Sequence, residues 1–310
     1  MSGSVNVSVV IPAYNESGAI GEAIRLVRRT FEKAAVTHEI IVVDDGSSDN
    51  TAQIAADAGA IVLRHPENLG YGASLKTGIK RARFAWIAIT DADGTYPVAE
   101  FPLLLKHVPA FDMVVGSRTG SSFRGGVFKR IGRMFFKHFS QFVTGRRIPD
   151  INSGMRVFRR DFVLSQMNLI SSGFSFTTTL TLSMMLEGQF VKYEPISYYP
   201  RIGRSHVRYL RDTLRATQII VQAVLWYNPV KLFLLYAIAG FLVSLLLALA
   251  VVWLCAYTTA LVLLWAGLMS GIVLIAIGSL GYIVRAAAQA ADSARARAGM
   301  PTEPPDQGRP

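Results

Sequence analysis

The sequence predicts an α/β domain built on a mostly parallel sheet, followed by an all-α transmembrane hairpin. Strand-like and helix-like apolar patterns alternate through the front half, as they do in parallel sheets with helical crossovers. Two apolar runs of roughly 25 residues each in the last third exceed the ~20 residues needed to cross a bilayer. Apolar residues make up 51% of the chain and charged residues only 17%, which fits a soluble half joined to a membrane half.

Strands and helices alternate regularly before residue 90. Runs rich in Val and Ile predict strands at residues 5–11, 39–43, 60–63 and 84–89. Apolar positions at helical spacing predict helices at residues 19–31, 51–58 and 73–82. Asp49 or Asn50 is the expected N-cap of the second helix. A further strand, residues 111–118, ends in the basic residue Arg118.

Three predicted loops carry acidic and turn residues at the carboxyl ends of strands, namely residues 12–16, 44–45 and 91–93. Because open α/β sheets bind ligands at that edge, these loops are expected to converge into a site. Asp91 and Asp93 are hard oxygen ligands that suit Mg²⁺ or Mn²⁺ together with substrate phosphates. A solvated turn is the alternative interpretation of this D-x-D sequence, since Asp and Gly are common turn residues.

The formal charge of +11 favours an anionic partner. For a membrane-attached protein, that partner is an anionic lipid headgroup or a phosphate-bearing substrate. Nucleic acid is the competing interpretation, but the sequence has no Cys/His finger, RNP-type aromatic motif or basic heptad region. The single cysteine, Cys255, lies in an apolar run, which excludes a disulfide framework. Residues 1–6 lack signal-peptide features, so the front domain is expected to stay cytosolic.

Three motifs together resemble the family 2 inverting glycosyltransferases of the GT-A fold. They are Val9-Val10-Ile11-Pro12-Ala13-Tyr14-Asn15-Glu16, Val42-Val43-Asp44-Asp45-Gly46-Ser47-Ser48-Asp49 and Asp91-Ala92-Asp93. The resemblance implies a catalytic domain over residues 1–205 that binds a nucleoside-diphosphate sugar. It implies donor-nucleotide contacts at Pro12, Ala13, Tyr14, Glu16, Val43, Asp44, Asp45 and Asp91. It also implies that Asp91 and Asp93 are catalytic ligands of Mg²⁺ or Mn²⁺, with Thr95 where several relatives carry Gln as a third ligand.

Two further segments resemble the polyprenyl-phosphate branch of that family, to which dolichol-phosphate-mannose synthase belongs. Residues 150–158 resemble its D-x-x-S-G-(F/M)-R segment. Residues 194–206 resemble its R-x-G-x-S segment, a loop near the donor diphosphate. The resemblance implies that Arg201 is catalytic and that Arg204 contacts the donor, since guanidinium pairs bidentately with phosphate. Arginines at the surface or at lipid headgroups are the alternative interpretation.

The remaining segments predict attachment to a membrane. Residues 127–143 predict an amphipathic helix with a Phe-rich face and a cationic face, suited to a membrane interface; packing on the domain's own core is the alternative. Later in the chain, the sequence predicts a juxtamembrane helix at 206–230 and a hairpin at 231–285, whose two transmembrane helices lie at about 232–257 and 260–284. A disordered cytosolic tail is predicted at 286–310. Lys231 and Arg285 flank the hairpin, which predicts a multi-pass inner-membrane protein with both ends cytoplasmic. Small residues in the hairpin allow close helix packing, either within one chain or between the subunits of a homo-oligomer.

The branch resemblance implies transfer of a sugar, with inversion, from a UDP- or GDP-hexose to undecaprenyl or dolichyl monophosphate. Arg118, Arg130 and Arg133 are then expected to bind the acceptor phosphate. That phosphate is largely ionised at neutral pH, so no general base is required. Two alternatives stay open. One is transfer to a lipid alcohol, for which Asp150 is the candidate base, and the other is a non-catalytic membrane scaffold with a degenerate transferase domain.

Overall fold

The structure is a computed structural model that describes residues 5–119, 134, 138, 140–199, 225, 229–253 and 257–297. The chain divides into two compact units, Met1–Ile220 and Val221–Pro310. The first unit contains a β-sheet covered by helices, and the second contains long apolar helices. The predicted boundary at residues 205–206 lies outside the described residues.

The described part of the first unit is built on one seven-stranded sheet. Its strands are β1 (Val7–Ala13), β2 (His38–Asp44), β3 (Ile61–Arg64), β4 (Trp86–Ile89), β5 (Met113–Arg118), β6 (Arg156–Arg159) and β7 (Val191–Ile196). Their order across the sheet is β3-β2-β1-β4-β6-β5-β7. Strand β6 runs antiparallel to its neighbours β4 and β5, and the other adjacent strands are parallel. The predicted mostly parallel α/β sheet is confirmed.

Helices connect these strands and cover both faces of the sheet. They are α1 (Ile20–Lys33), α2 (Thr51–Asp57), α3 (Tyr71–Arg81), α4 (Phe101–Leu105), α5 (Arg160–Ser165) and α6 (Phe176–Leu186). Successive strand residues point into two different buried clusters. Val9 lies in one cluster with Phe31 of α1, whereas Val10 lies in the other with Leu75 of α3 and Phe176 of α6. Burial on both faces explains the continuous apolar runs of β1 and β2.

Some predicted bounds and elements need correction. Strand β1 continues past its predicted end, through Pro12 to Ala13. Beyond Val10 it pairs with β2 alone, so a residue without an N–H donor is tolerated there. Strand β6 and helix α6 were not predicted. Strand β6 has only four residues and pairs with a strand that is distant in sequence. Helix α6 is buried on nearly all sides and therefore shows no amphipathic period.

The second unit contains α7 (Pro229–Trp253) and α8 (Tyr257–Arg297). Each includes a stretch long and apolar enough to cross a membrane, Pro229–Val252 and Tyr257–Val284. Only 17% and 11% of their most apolar windows are buried, unlike the core helix of a soluble domain. Helix α8 continues to Arg297, so the disorder predicted from residue 286 is wrong for residues 286–297, where strong helix formers such as Ala and Arg prevail.

Two predicted helices lie mostly outside the described residues. Within the predicted interfacial helix at 127–143, residues 134, 138 and 140–143 are helical. Within the predicted juxtamembrane helix at 206–230, residues 225, 229 and 230 are helical. Both helices otherwise stay predictions.

Candidate active site

The loops after β1, β2 and β4 share one edge of the sheet because these strands are adjacent and parallel. Hydrogen bonds join the first two loops directly. The N–H of Asp45 donates to Ala13 O (2.9 Å), and the N–H of Asn15 donates to Ser47 Oγ (2.9 Å). Asn15 adopts a φ of 52°, a left-handed conformation that asparagine tolerates, and the chain turns sharply there. The predicted convergence of residues 12–16 and 44–45 is therefore observed.

The predicted donor-binding residues of these two loops differ in accessibility. Pro12, Tyr14 and Glu16 are half-buried, whereas Ala13, Val43, Asp44 and Asp45 are buried. Asp44 Oδ1 accepts a hydrogen bond from the N–H of Ser47 (3.1 Å). Arg64 Nε lies 3.2 Å from Asp44 Oδ2, an ion pair without hydrogen-bond geometry. Asp44 thus has a structural role in its loop, and its direct contact with a nucleoside stays a prediction.

Asp45 fixes the start of helix α3. Its Oδ1 accepts from the N–H of Leu69 (3.0 Å), and its Oδ2 accepts from the N–H of Gly70 (2.8 Å). The ring Nδ1 of His65 lies 2.7 Å from Asp45 Oδ1. The carboxylate therefore binds backbone donors that precede the first turn of α3, where negative charge is favoured. Its role as a nucleoside ligand also stays a prediction.

Asp93 is buried and receives two hydrogen bonds from one residue. The N–H and the hydroxyl of Thr95 both donate to Asp93 Oδ1, at 3.1 and 2.7 Å. Thr95 is itself buried, so its hydroxyl orients the Asp93 carboxylate. Sequence reasoning assigned Thr95 to the metal, but the contact seen here supports Asp93. Ligation by Thr95 stays a prediction.

Asp91 lies between two elements that sequence reasoning did not connect with it. The Tyr71 hydroxyl donates to Asp91 Oδ1 at 3.1 Å. On the other loop, a Cβ added at Gly154 would lie 3.2 Å from both Asp91 carboxylate oxygens. The N–H of Gly154 in turn donates to the Tyr96 hydroxyl at 2.6 Å. The D-x-D loop and the 150–156 segment therefore form one contiguous site.

The hydroxyl of Tyr71 is the hydrogen-bond donor in its contact with Asp91. Burial and the negative charge of Asp91 raise the pKa of Tyr71 well above its usual value, so the phenol stays protonated. Tyr71 and Tyr96 were both missed as site residues. Tyr96 follows the D-x-D loop by a few positions and Tyr71 opens α3 after a turn, but their contacts depend on tertiary packing.

Arg118, predicted to bind the acceptor phosphate, is paired with Asp150. Its Nε and Nη2 donate to the two Asp150 oxygens at 2.7 and 2.9 Å. Its guanidinium also lies 5.3 Å from the centre of the Tyr198 ring. Burial alone would lower the pKa of Arg118, but the nearby Tyr96 and Asp150 outweigh it and raise the pKa. Because both Asp150 oxygens accept bonds from Arg118, Asp150 is poorly placed to act as a general base.

Arg156 is the largest fully buried side chain of the protein's described part. Its guanidinium donates to Ser153 O (3.1 Å), Thr177 O (3.0 Å) and Thr181 Oγ1 (3.0 Å). It thereby ties the loop that carries Asp150 to helix α6. Desolvation by burial lowers the pKa of Arg156. Its position in the 150–158 motif was visible in the sequence, but its buried role was not.

The acids at this edge have the chemistry that a divalent metal requires. No group of three or more His, Cys, Asp or Glu side chains arranged for a metal occurs in the described residues. Mg²⁺ is nevertheless often held by one or two carboxylates plus substrate phosphates, and Asp91 and Asp93 match that donor set. The predicted Arg130, Arg133, Arg201 and Arg204 lie outside the described residues.

Comparisons with known proteins agree with the fold and the motifs. Residues 8–164 match the profile of Glycosyl transferase family 2. A Haloferax volcanii protein named "Low-salt glycan biosynthesis hexosyltransferase Agl6" is 32% identical over 270 residues, which cover 85% of this chain and 60% of that protein. The "Dolichyl-phosphate hexose transferase" of the same organism is 29% identical over 202 residues, covering 64% of this chain and 86% of that protein.

A solved structure shares the fold of this chain. It is glucosyl-3-phosphoglycerate synthase from Mycobacterium tuberculosis in complex with Mn²⁺, UDP and phosphoglyceric acid, with a TM-score of 0.59 and 16% identity. The likeness covers 71% of this chain and 78% of that one, and it confirms the Rossmann-like GT-A architecture. The family profile covers half of the chain, so the protein belongs to glycosyl transferase family 2. It spans 60–63% of the length of several of its relatives.

Proposed function

We propose that the protein transfers a sugar from a nucleoside-diphosphate sugar to a polyprenyl monophosphate at a membrane, with inversion at the anomeric carbon. Membership of glycosyl transferase family 2 supports sugar transfer. The Haloferax volcanii relative named for dolichyl phosphate supports a polyprenyl-phosphate acceptor, as does a Pseudomonas fluorescens relative named "Undecaprenyl-phosphate 4-deoxy-4-formamido-L-arabinose transferase". The donor is a UDP- or GDP-hexose in this proposal.

The observation that carries the proposal is the contact between the D-x-D loop and the 150–156 segment. Gly154 lies against the Asp91 carboxylate, and its N–H donates to Tyr96. Acids suited to a donor diphosphate and its metal therefore border the loop whose Asp150 orients Arg118. This contact supports a donor site and an acceptor site that lie next to each other.

The residues of the chain have distinct roles in this proposal. Asp91 and Asp93 hold Mg²⁺ or Mn²⁺, which when bound offsets charge that grows on the leaving diphosphate. Tyr14 and Glu16, at the half-buried loop after β1, contact the nucleoside. Arg118 attracts the acceptor phosphate and, through its two bonds to Asp150, keeps a fixed orientation. The acceptor phosphate must be held in position for in-line attack, and because it is already ionised, no proton has to be removed from it.

The two apolar helices support a multi-pass membrane location in this proposal. Pro229–Val252 and Tyr257–Val284 are each long enough to span a bilayer. Lys231 and Arg285 at the ends of this hairpin favour a cytoplasmic location for both termini and the catalytic domain. Gly267, Gly271 and Gly278 of α8 lie against Ser244, Ala237 and Phe233 of α7, so they support packing within the hairpin. A homo-oligomer formed through the hairpin stays a prediction. The amphipathic segment at 127–143 offers the lipid tail an entry along the membrane surface.

The test uses the full-length protein in detergent with undecaprenyl phosphate and Mg²⁺ or Mn²⁺. A panel of UDP- and GDP-sugars is offered, and glycosylated lipid phosphate is sought by mass spectrometry. The proposal predicts a product with at least one donor, lost in Asp93→Ala. Donor binding without any lipid-phosphate product would contradict the proposed acceptor, and no donor binding at all would favour a scaffold.

The acceptor residues are tested separately with the donor that works. Arg118→Ala and Arg130→Ala are each expected to raise the KM for polyprenyl phosphate, because each removes a positive charge from the proposed phosphate site. The KM for the donor serves as the internal control. Unchanged KM values for the lipid phosphate in both variants would overturn the assignment of these arginines.

A further inference from the structure

We propose that Tyr71 is a positioning residue for the divalent metal, and that it sets the orientation of the Asp91 carboxylate. The inference rests on the proposed function, because it takes Asp91 and Asp93 as the metal ligands. Tyr71 lies outside the three motifs that resemble the family 2 glycosyltransferases. The basis of the inference is the placement of Tyr71 among three loops of the site.

The Asp91 carboxylate is confined from two sides. The Tyr71 hydroxyl donates to Oδ1 at 3.1 Å. Gly154 approaches so closely that an added Cβ would lie 3.2 Å from each carboxylate oxygen. A carboxylate oxygen that accepts one hydrogen bond keeps a second lone pair for a metal. The hydrogen bond therefore selects a rotamer of Asp91 without excluding ligation.

Tyr71 is itself held in place by packing. Its ring stacks on Phe174, with ring centres 6.1 Å apart and planes 11° from parallel. The next residue, Gly72, packs against the backbone of the 171–173 loop, where an added Cβ would lie 2.6 Å from Ser171 O. The stacking on Phe174 and the close backbone contact at Gly72 both restrain Tyr71, which favours a defined position for its hydroxyl.

The segment 69–71 also contacts the other end of the proposed donor site. The backbone N–H groups of Leu69 and Gly70 donate to the two oxygens of Asp45 at 3.0 and 2.8 Å. One short stretch thus binds Asp45 through its backbone and Asp91 through the Tyr71 side chain. This stretch therefore bridges the proposed nucleoside end and the proposed metal end of the donor site.

The substitution Tyr71→Phe removes the hydroxyl and keeps the ring that stacks on Phe174. Loss of a residue that orients a metal ligand typically costs about 10–100-fold in metal affinity. We expect Mn²⁺ to bind about tenfold more weakly to the variant, both alone and with UDP or GDP present. A purely structural role would lower thermal stability and leave the affinity for Mn²⁺ unchanged.

The experiment titrates Mn²⁺ into full-length protein in detergent and follows free Mn²⁺ by electron paramagnetic resonance, which needs no turnover. Tyr193→Phe is the matched control, because the buried Tyr193 hydroxyl makes no hydrogen bond within the described residues. Asp91→Asn is the reference for a lost ligand. Thermal unfolding without metal checks that all variants fold.

The outcomes separate this inference from the proposed function. Weakened Mn²⁺ binding in Tyr71→Phe, with Tyr193→Phe like the wild type, supports the positioning role. Equal binding in Tyr71→Phe and the wild type, with binding lost in Asp91→Asn, overturns the positioning role and leaves the metal site intact. Failure of the wild type to bind Mn²⁺ under all conditions overturns the metal site and, with it, the role of Tyr71.

Discussion

Replacement of Arg156 by leucine tests whether this buried guanidinium holds the 150–154 loop. The substitution removes the bonds that Arg156 donates to Ser153 O, Thr177 O and Thr181 Oγ1, although Thr177 O still accepts a bond from the Thr181 hydroxyl. At about 1.5–3 kcal/mol for each lost hydrogen bond from a charged donor, the gross cost is roughly 5–9 kcal/mol. Leucine also removes the desolvation penalty of a buried charge, which offsets several kcal/mol. The expected net loss is about 2–4 kcal/mol.

A loss of this size is measurable by thermal unfolding of the full-length protein in detergent, followed by intrinsic fluorescence. For a domain of this size the expected fall in Tm is about 5–15 °C. Arg156→Lys provides the control for charge, because lysine keeps the charge but cannot reach all three acceptors. We expect Lys to rescue little of the loss. A Tm of Arg156→Leu equal to or above that of the wild type would refute the reasoning, since desolvation would then outweigh the hydrogen bonds.

Two further predictions concern the site and the acid limit of stability. Gly154→Ala places a methyl group 3.2 Å from both Asp91 oxygens, so the carboxylate must shift by a few tenths of an ångström, and kcat is expected to fall about tenfold. Gly240→Ala is the control, because its methyl group enters open space. An unchanged kcat in Gly154→Ala would contradict the close contact. Burial alone would raise the pKa of Glu39, but hydrogen bonds, led by that from Ser8, lower it. Glu39 therefore stabilises the fold above its unfolded pKa near 4.5, and this contribution is lost as pH falls below that value. Urea unfolding from pH 6 to 3 should show a weaker pH dependence in Glu39→Gln, and equal slopes would contradict this.

The sheet and its acidic edge were predictable because they follow from local patterns. Apolar runs with strand period, helices between them, and acids at strand ends require only neighbouring residues and the geometry of parallel sheets. The loops at residues 12–16 and 44–45 converge as these rules predict. The extension of α8 to Arg297 was missed, because a tail of Ala, Arg, Pro and Gln was interpreted as a frayed helix end followed by disorder, although Ala and Arg favour helix.

The partners of the site residues were not predictable, because they depend on contacts between distant segments. Arg118 and Asp150 are 32 residues apart and form an ion pair, so an arginine read from sequence as a phosphate ligand has an internal partner. Thr95 and Tyr71 each support an aspartate of the D-x-D loop. Side-chain hydrogen bonds of this kind follow from packing, which sequence periodicity does not encode.

The most direct test of the central claim compares two acceptors that differ only in the phosphate. Undecaprenyl monophosphate and undecaprenol are offered at equal concentration to the full-length protein, with the donor found active in the panel, and glycolipid products are quantified by mass spectrometry. An ionised phosphate attacks without a base, and both Asp150 oxygens accept bonds from Arg118. We predict a product with the monophosphate alone. A glycosylated undecaprenol, formed at a comparable rate and lost in Asp93→Ala, would contradict it.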